Sequence, residues 1–222
     1  MSIPTTSTPG TARTAGTSAS ASSVTLLALP DVAAVLAVPD VDLIAIDMPI
    51  GLSEDGARAC DVQARARLGK AGSSVFPAPL REVLACPDYA SACEVSRRAS
   101  GKALSVQTWN LVPAILSLDH TLGAPPVQRV HEVHPELAFR ALDERVRDPK
   151  ASARGLAQRV RALEPVMDVL DALAGGPARV PAVDALDACA AAWSAQRIAD
   201  GLAETVGDGA RDALGRPMRI SW

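Results

Sequence analysis

The sequence predicts an α/β fold organised around a buried parallel strand, and three observations carry that reading. Residues 43–46, LIAI, form a continuous apolar run closed by Pro49 and Gly51. Such a run is too short for an ordinary buried helix and fits a strand covered on both faces. Strand-like segments at 24–29, 43–46 and 127–133 are separated by stretches with helical spacing. The 222 residues are 48% apolar, enough to build the core of one compact domain, while an aromatic share of 3% leaves Ala, Leu and Val to fill it.

Taken in order, residues 1–23 are Ser, Thr, Ala, Gly and Pro with almost nothing to bury, which predicts a disordered tail. A short strand at 24–29 and a short helix from 30 or 31 to 38 follow, with Pro30 and Asp31 suited to the helix's first turn. After the 43–46 strand comes a polar turn and a helix at about 57–68. Arg58, Asp61, Arg65 and Leu68 fall on one stripe of it, the pattern of a salt-bridged helix surface. Residues 69–79 read as a loop, anchored by Phe76, one of two phenylalanines. Helices are expected at 88–100, stopped by Gly101, and at about 104–122, interrupted at Pro113. The 127–133 strand feeds a helix opened by Pro135 and running to about 145. A charged link at 143–154, helices at about 152–173 and 183–203, and a final edge strand at 216–222 complete the chain.

Net charge is −3, so no overall basic field announces nucleic acid. Lys70, Lys102 and Lys150 are the only lysines, a bias that codon usage explains as well as phosphate recognition does. Cys60, Cys86, Cys93 and Cys189 show no C-x-x-C pairing and read as reduced thiols of a cytoplasmic protein. No apolar run approaches the ~18 residues that span a membrane, and the N-terminus lacks a secretory centre. The GK near Ser105 lacks the upstream glycine spacing of a phosphate-binding loop.

The candidate chemistry lies in acids at strand ends. Asp47 closes the 43–46 run, where parallel α/β sheets keep their functional groups. HEVHPE, residues 131–136, is not a zinc-protease motif, because its histidines are three apart and Pro135 breaks the required helix. Strand alternation puts Glu132 and His134 on one face, with Glu136 in the next helix's first turn, where the helix dipole alone suits a carboxylate. His134 fits a structural hydrogen bond as well as a catalytic role. Asp184 and Asp187 share a helix face, and the small residues 188–192 favour Asp187 as the one turned toward the sheet. Asp47, Glu132 or Glu136, and Asp184 or Asp187 together suit Mg²⁺ or Mn²⁺. Two such ions, about 3.5–4 Å apart, support phosphodiester hydrolysis. Arg58, Arg65, Arg81 and Lys102 would hold phosphates nearby.

With IAIDMPIGL, RACDVQAR, SSVFPAP, GKALSVQ, HEVHPE, LDACAAAW and RPMRISW in family order from residue 24 to 222, the chain resembles the nuclease family of ribonuclease H-like fold known as domain of unknown function 429. The resemblance implies a single ribonuclease H-like α/β domain over 24–222, with a mixed sheet flanked by helices and Asp47 on a central parallel strand. It implies a cleft lined by the 73–81 loop with Ser73 and Ser74, by Lys102, Gln107, Glu132, His134 and Glu136, and by Asp184 or Asp187. Relatives open with a strand carrying a GVDG-type segment and a Gly-Gly-Trp hairpin; here the Ser/Thr/Ala tail takes that place and no Asp precedes Asp31. Ala114 stands where relatives tend to carry lysine. These departures imply an exposed edge on the Asp47 strand and a metal site short of one carboxylate. Two functional expectations follow: a divalent-metal-dependent nuclease or phosphodiesterase, or a non-catalytic nucleotide- or anion-binding member of the same fold.

Overall fold

The computed structural model describes residues 22–124 and 129–222, and the architecture is mixed α/β, dominated by helix. The predicted strand β1 forms at Ile44–Ile46, and β2 forms at Val130–Glu132. They pair in parallel, Ile44 opposite Val130 and Ile46 opposite Glu132. The tail forms β4, Ile220–Ser221, which pairs antiparallel with β3, Thr205–Val206. A single bridge from Val133 to Ser221 joins the two ladders, so the order in space is β1, β2, β4, β3. The expected edge position of the tail is corrected: β4 is bonded on both sides, and Trp222 beyond it is buried. Among the described residues β1 has one ladder neighbour, and Leu43 and Ala45 share an open groove with Ala188, Ala191, Ala192 and Ala195 of the last helix.

Helix α1, Val32–Leu36, is capped by the Asp31 side chain, as its placement in the first turn predicts. Helix α2 spans Ala59–Leu68, and the expected loop after it winds into a 3-10 turn at Gly69–Ser74. Helix α3, Tyr89–Ser100, ends at Gly101 in the left-handed conformation (φ 72°) that glycine permits without strain. Helix α4, Val106–Leu122, runs through Pro113 without interruption. Val112, Ile115, Leu118 and Leu122 make one buried stripe along it, and their packing outweighs the backbone bond that proline removes. Helix α5, Pro135–Leu142, stops earlier than expected. The single helix expected over 152–173 is two, α6 at Ala153–Leu163 and α7 at Val169–Gly175, divided at Pro165. Helix α8 is Ala182–Ala199.

The predicted strand at 24–29 does not form. Val24 and Leu26 pack against the main core while Leu27 and Leu29 are exposed, so the alternation is present without a strand among the described residues to pair with. Of the expected disordered tail, only Ser22 and Ser23 fall within the described residues, and Ser22 is bonded to Val166 and Asp168 through its backbone. The first residues of the predicted 127–133 strand also lie outside them.

The main core joins α2, α5, α6 and α8 around Phe139, Leu137, Leu163, Leu186 and Trp222. Burying each large side chain there is worth about 1.5–3 kcal/mol. A second cluster lies under α3 and α4, and a third seats β1 and β2 against the end of α4. The carboxyl ends of β1 and β2 open between these clusters. No helix among the described residues is long and apolar enough to cross a membrane. Cys60, Cys93 and Cys189 are buried and all four cysteines are free thiols.

Candidate functional site

A cavity of about 220 Å³ opens at the carboxyl ends of β1 and β2. Asp47, Glu132, His134, Glu136, Asp187 and Lys150 line it, facing an apolar wall of Val75, Leu111 and Ile115. Asp47 and His134 arrive as the residues that follow β1 and β2, Glu136 from the first turn of α5, and Asp187 from α8. Both Glu132 and His134 reach the cavity, as strand alternation predicts.

Beneath the cavity lies a sealed ion cluster. Arg58 donates to both oxygens of Glu132 at 2.8 and 2.7 Å, to both oxygens of Asp61 at 3.2 and 2.5 Å, and to the carbonyls of Ile50 and Gly51. The Ile50 N–H donates to Glu132 at 2.6 Å and the Ala78 N–H to Asp61 at 2.9 Å. The expected surface stripe is therefore corrected, since Arg58 and Asp61 are buried. Burial opposes the Arg58 charge, but Glu132 and Asp61 override it and hold the guanidinium well above its ordinary pKa. This saturated clamp ties β2, α2 and the 50–52 turn together, and it occupies Glu132 and Arg58 as structural groups rather than as metal ligand and phosphate holder. Gly51 makes the turn feasible: its φ is +77°, and a Cβ would meet the Pro217 carbonyl at 3.0 Å.

Above the clamp the carboxylates are less satisfied. Asp187 accepts from the Lys150 ammonium at 2.8 Å through Oδ2, while its Oδ1 is buried with no partner. Glu136 accepts from Arg159 at 2.6 Å. Asp47 is exposed at the cavity mouth, yet the protein around it still costs its carboxylate solvation. Burial raises its pKa, His134 and Lys150 pull it down, and Asp187 and Glu136 push it up. Burial likewise raises the Asp187 pKa against the pull of Lys150. Burial works against the Lys150 ammonium, and Asp187 overrides it to lift its pKa. His134 Nε2 lies 3.3 Å from the Ser74 carbonyl, and its Nδ1 is buried without a partner.

Lys150 is held by a close backbone approach. Ser152 caps α6 by accepting from the Gly155 N–H at 3.0 Å and donates its hydroxyl to the Pro149 carbonyl at 2.8 Å. A Cβ on Gly155 would stand 2.0 Å from that carbonyl. Glycine is what lets α6 press the 149–150 segment toward Asp187.

Several expected site residues lie elsewhere. Arg65 donates to the Val75 carbonyl at 2.5 Å and so shapes the cavity wall from behind. Arg81 pairs with Asp119 and Asp212. Lys102 and Gln107 are exposed and outside the cavity, and Asp184 faces solvent in the first turn of α8. Ser74 lines the cavity and Ser73 an adjoining cleft. Phe76 is 44% exposed at the rim rather than buried as an anchor. Lys150 and Arg159 escaped the sequence reading; the one available signal was that Lys150 is among only three lysines.

The donor set can be tested against a divalent ion. Among the described residues no group of three or more His, Cys, Asp or Glu side chains is gathered to hold a metal. With Glu132 sealed under Arg58, a two-ion cage does not fit. The donor chemistry suits a single Mg²⁺ or Mn²⁺ of the kind held by one or two carboxylates plus water and substrate oxygens, because Asp47 and Asp187 line one cavity and Asp187 Oδ1 has no hydrogen-bond partner.

The family described as protein of unknown function (DUF429) matches residues 8–212. No curated protein matches the chain, and no solved structure does.

Proposed function

The chain belongs to the DUF429 family, and we propose that it is a metal-dependent phosphodiester hydrolase acting on nucleic acid, with the 220 Å³ cavity as its active site. The observation that carries this reading is the gathering of Asp47, Asp187, Lys150 and His134 at the carboxyl end of a parallel ladder, with one buried carboxylate oxygen left unpartnered. The accompanying fold reading is a ribonuclease H-like sheet, supported by the β1–β2 pairing with acids at its carboxyl end.

Asp47 and Asp187 would hold a Mg²⁺ or Mn²⁺ ion, whose role when bound is to polarise a phosphoryl oxygen and lower the pKa of a water. His134 lines the same cavity with its Nδ1 unpartnered, and it would take the proton of the attacking water. As the water oxygen bonds to phosphorus, the phosphorus–oxygen ester bond breaks, and the leaving oxygen takes a proton delivered through solvent at the mouth. Lys150 stabilises charge on the phosphoryl oxygens, and the apolar wall limits competing water. Cleavage of short DNA and RNA in Mn²⁺ by wild type and by Asp47→Asn tests this. A loss of at least about 10–100-fold, the effect of disturbing even an outer-shell partner of a metal ligand, is expected when the ligand itself is changed; equal cleavage by the two proteins refutes the assignment.

The second reading is anion binding without turnover. The Lys150–Asp187 and Arg159–Glu136 pairs favour it, because they already neutralise two of the acids. It predicts metal-independent thermal stabilisation by a nucleotide with no product formed.

A further inference from the structure

The cavity is not isolated. Ser74, Glu136 and Lys150 line it and also line a cleft of about 310 Å³. Arg140 and Arg147 line that cleft and a further hollow that reaches Arg67 and Trp222. Each depression shares side chains with the next, so one continuous track leads from Asp47 toward Trp222.

The charges along it are of two kinds. Lys150, Arg159 and Arg67 are committed to Asp187, Glu136 and Glu204. Lys70, Arg140 and Arg147 pair with no carboxylate among the described residues. The Arg140 Nε is buried without a hydrogen-bond partner. Arg147 spends its Nε on the Glu144 carbonyl at 2.9 Å, which fixes the guanidinium and leaves its terminal nitrogens available. Asp148, the remaining acid of the cleft, is occupied by Gln158 and Arg154. Against one exposed carboxylate of the far hollow, Glu144, three cations without an ion-pair partner lie beside the acidic cavity in a chain whose net charge is −3. Such a row is suited to successive phosphates.

We propose that this track binds the phosphates flanking the reacting one, so that the substrate is an oligonucleotide strand rather than a mononucleotide or small phosphate ester. The proposal rests on the hydrolytic reading of the cavity, and its test does not require turnover. Fluorescence anisotropy of a short fluorescein-labelled single-stranded oligonucleotide is measured over a salt series with wild type and with the Arg140→Gln, Arg147→Gln double variant. The exposed Lys70→Gln variant is measured alongside, since it carries no folding risk. The double variant is expected to bind about tenfold or more weakly, with the log–log salt slope reduced by roughly 1.4, about 0.7 for each lost contact on a single strand. Lys70→Gln is expected to reduce the slope by about half that amount. Unchanged affinity and slope in both variants overturn the proposal. Binding that depends on Arg140 and Arg147, beside cleavage indifferent to Asp47→Asn, refutes the hydrolytic reading and leaves the track standing. Asp47-dependent cleavage with binding indifferent to the arginines refutes the track alone.

Discussion

Replacing Arg58 by methionine isolates the energetic role of the buried clamp. Arg58, Asp61 and Glu132 are 3, 2 and 6% exposed, and the guanidinium makes bonds to four carboxylate oxygens and two carbonyls. Methionine fills most of the volume but leaves two carboxylates in a desolvated site with no cation. Breaking a buried pair in this way costs about 3–5 kcal/mol, against a typical domain stability of about 5–15 kcal/mol. At about 2–4 °C per kcal/mol for a chain of this size, Tm falls by roughly 6–20 °C. Urea unfolding gives the free energy, and calorimetry gives Tm. The internal control is Arg98→Met, which breaks an ion pair whose side chains are 65 and 61% exposed and is expected to leave stability unchanged. A loss below about 1 kcal/mol for Arg58→Met, the range of exposed pairs, refutes the claim that the clamp organises the cavity floor.

Gly155→Ala drives a methyl to within 2.0 Å of the Pro149 carbonyl, so stability should drop by more than about 2 kcal/mol in the same urea assay, with metal-dependent activity falling alongside as Lys150 shifts. Asp47 and Asp187 both carry raised pKa values, so the folded state holds their protons more tightly than the unfolded chain does. Their contribution to stability is complete below about pH 4 and is lost as pH rises through the raised values. Asp47→Asn should therefore gain on wild type in Tm as pH climbs, and the opposite trend refutes the direction assigned to Asp47. The Cys60 thiol is fully buried and pushed up to about 12 by burial, while Cys86 is partly exposed. Iodoacetamide at neutral pH should label Cys86 and spare Cys60, as peptide mapping of the folded protein reads directly.

The parts of the fold legible in the sequence are those fixed by local chemistry. The Leu43–Ile46 run, the Asp31 cap, the Gly101 stop and Pro135 at a helix start each declare themselves within a few residues. What escaped depends on partners distant in the chain. Residues 24–29 alternate like a strand but pair with no strand among the described residues, and α4 survives Pro113 because its apolar stripe is packed along its length. In the site, Asp47, His134 and Asp187 were legible from strand ends and helix faces. Their separation from Glu132 was not, because only the folded chain reveals that Arg58 seals Glu132 from below. Lys150 sits in a charge-rich stretch that reads as solvated link and Arg159 on a helix with no sign of its partner, and only the approach permitted by Gly155 brings that stretch to the acids.

The Arg58 clamp also bears on when the cavity comes into being. Its bonds to Glu132 span 74 residues, and the Ile50 bond to the same carboxylate spans 82. The loop entropy of joining such distant segments must be offset before their contacts contribute anything, whereas a helix such as α3 gathers stabilisation from α4, its neighbour in the chain. The α3–α4 cluster can thus consolidate early, while the carboxyl ends of β1 and β2 meet late. Refolding monitored by helix signal should run ahead of any ligand-binding signal, and a nascent chain short of residue 132 has no cavity to protect.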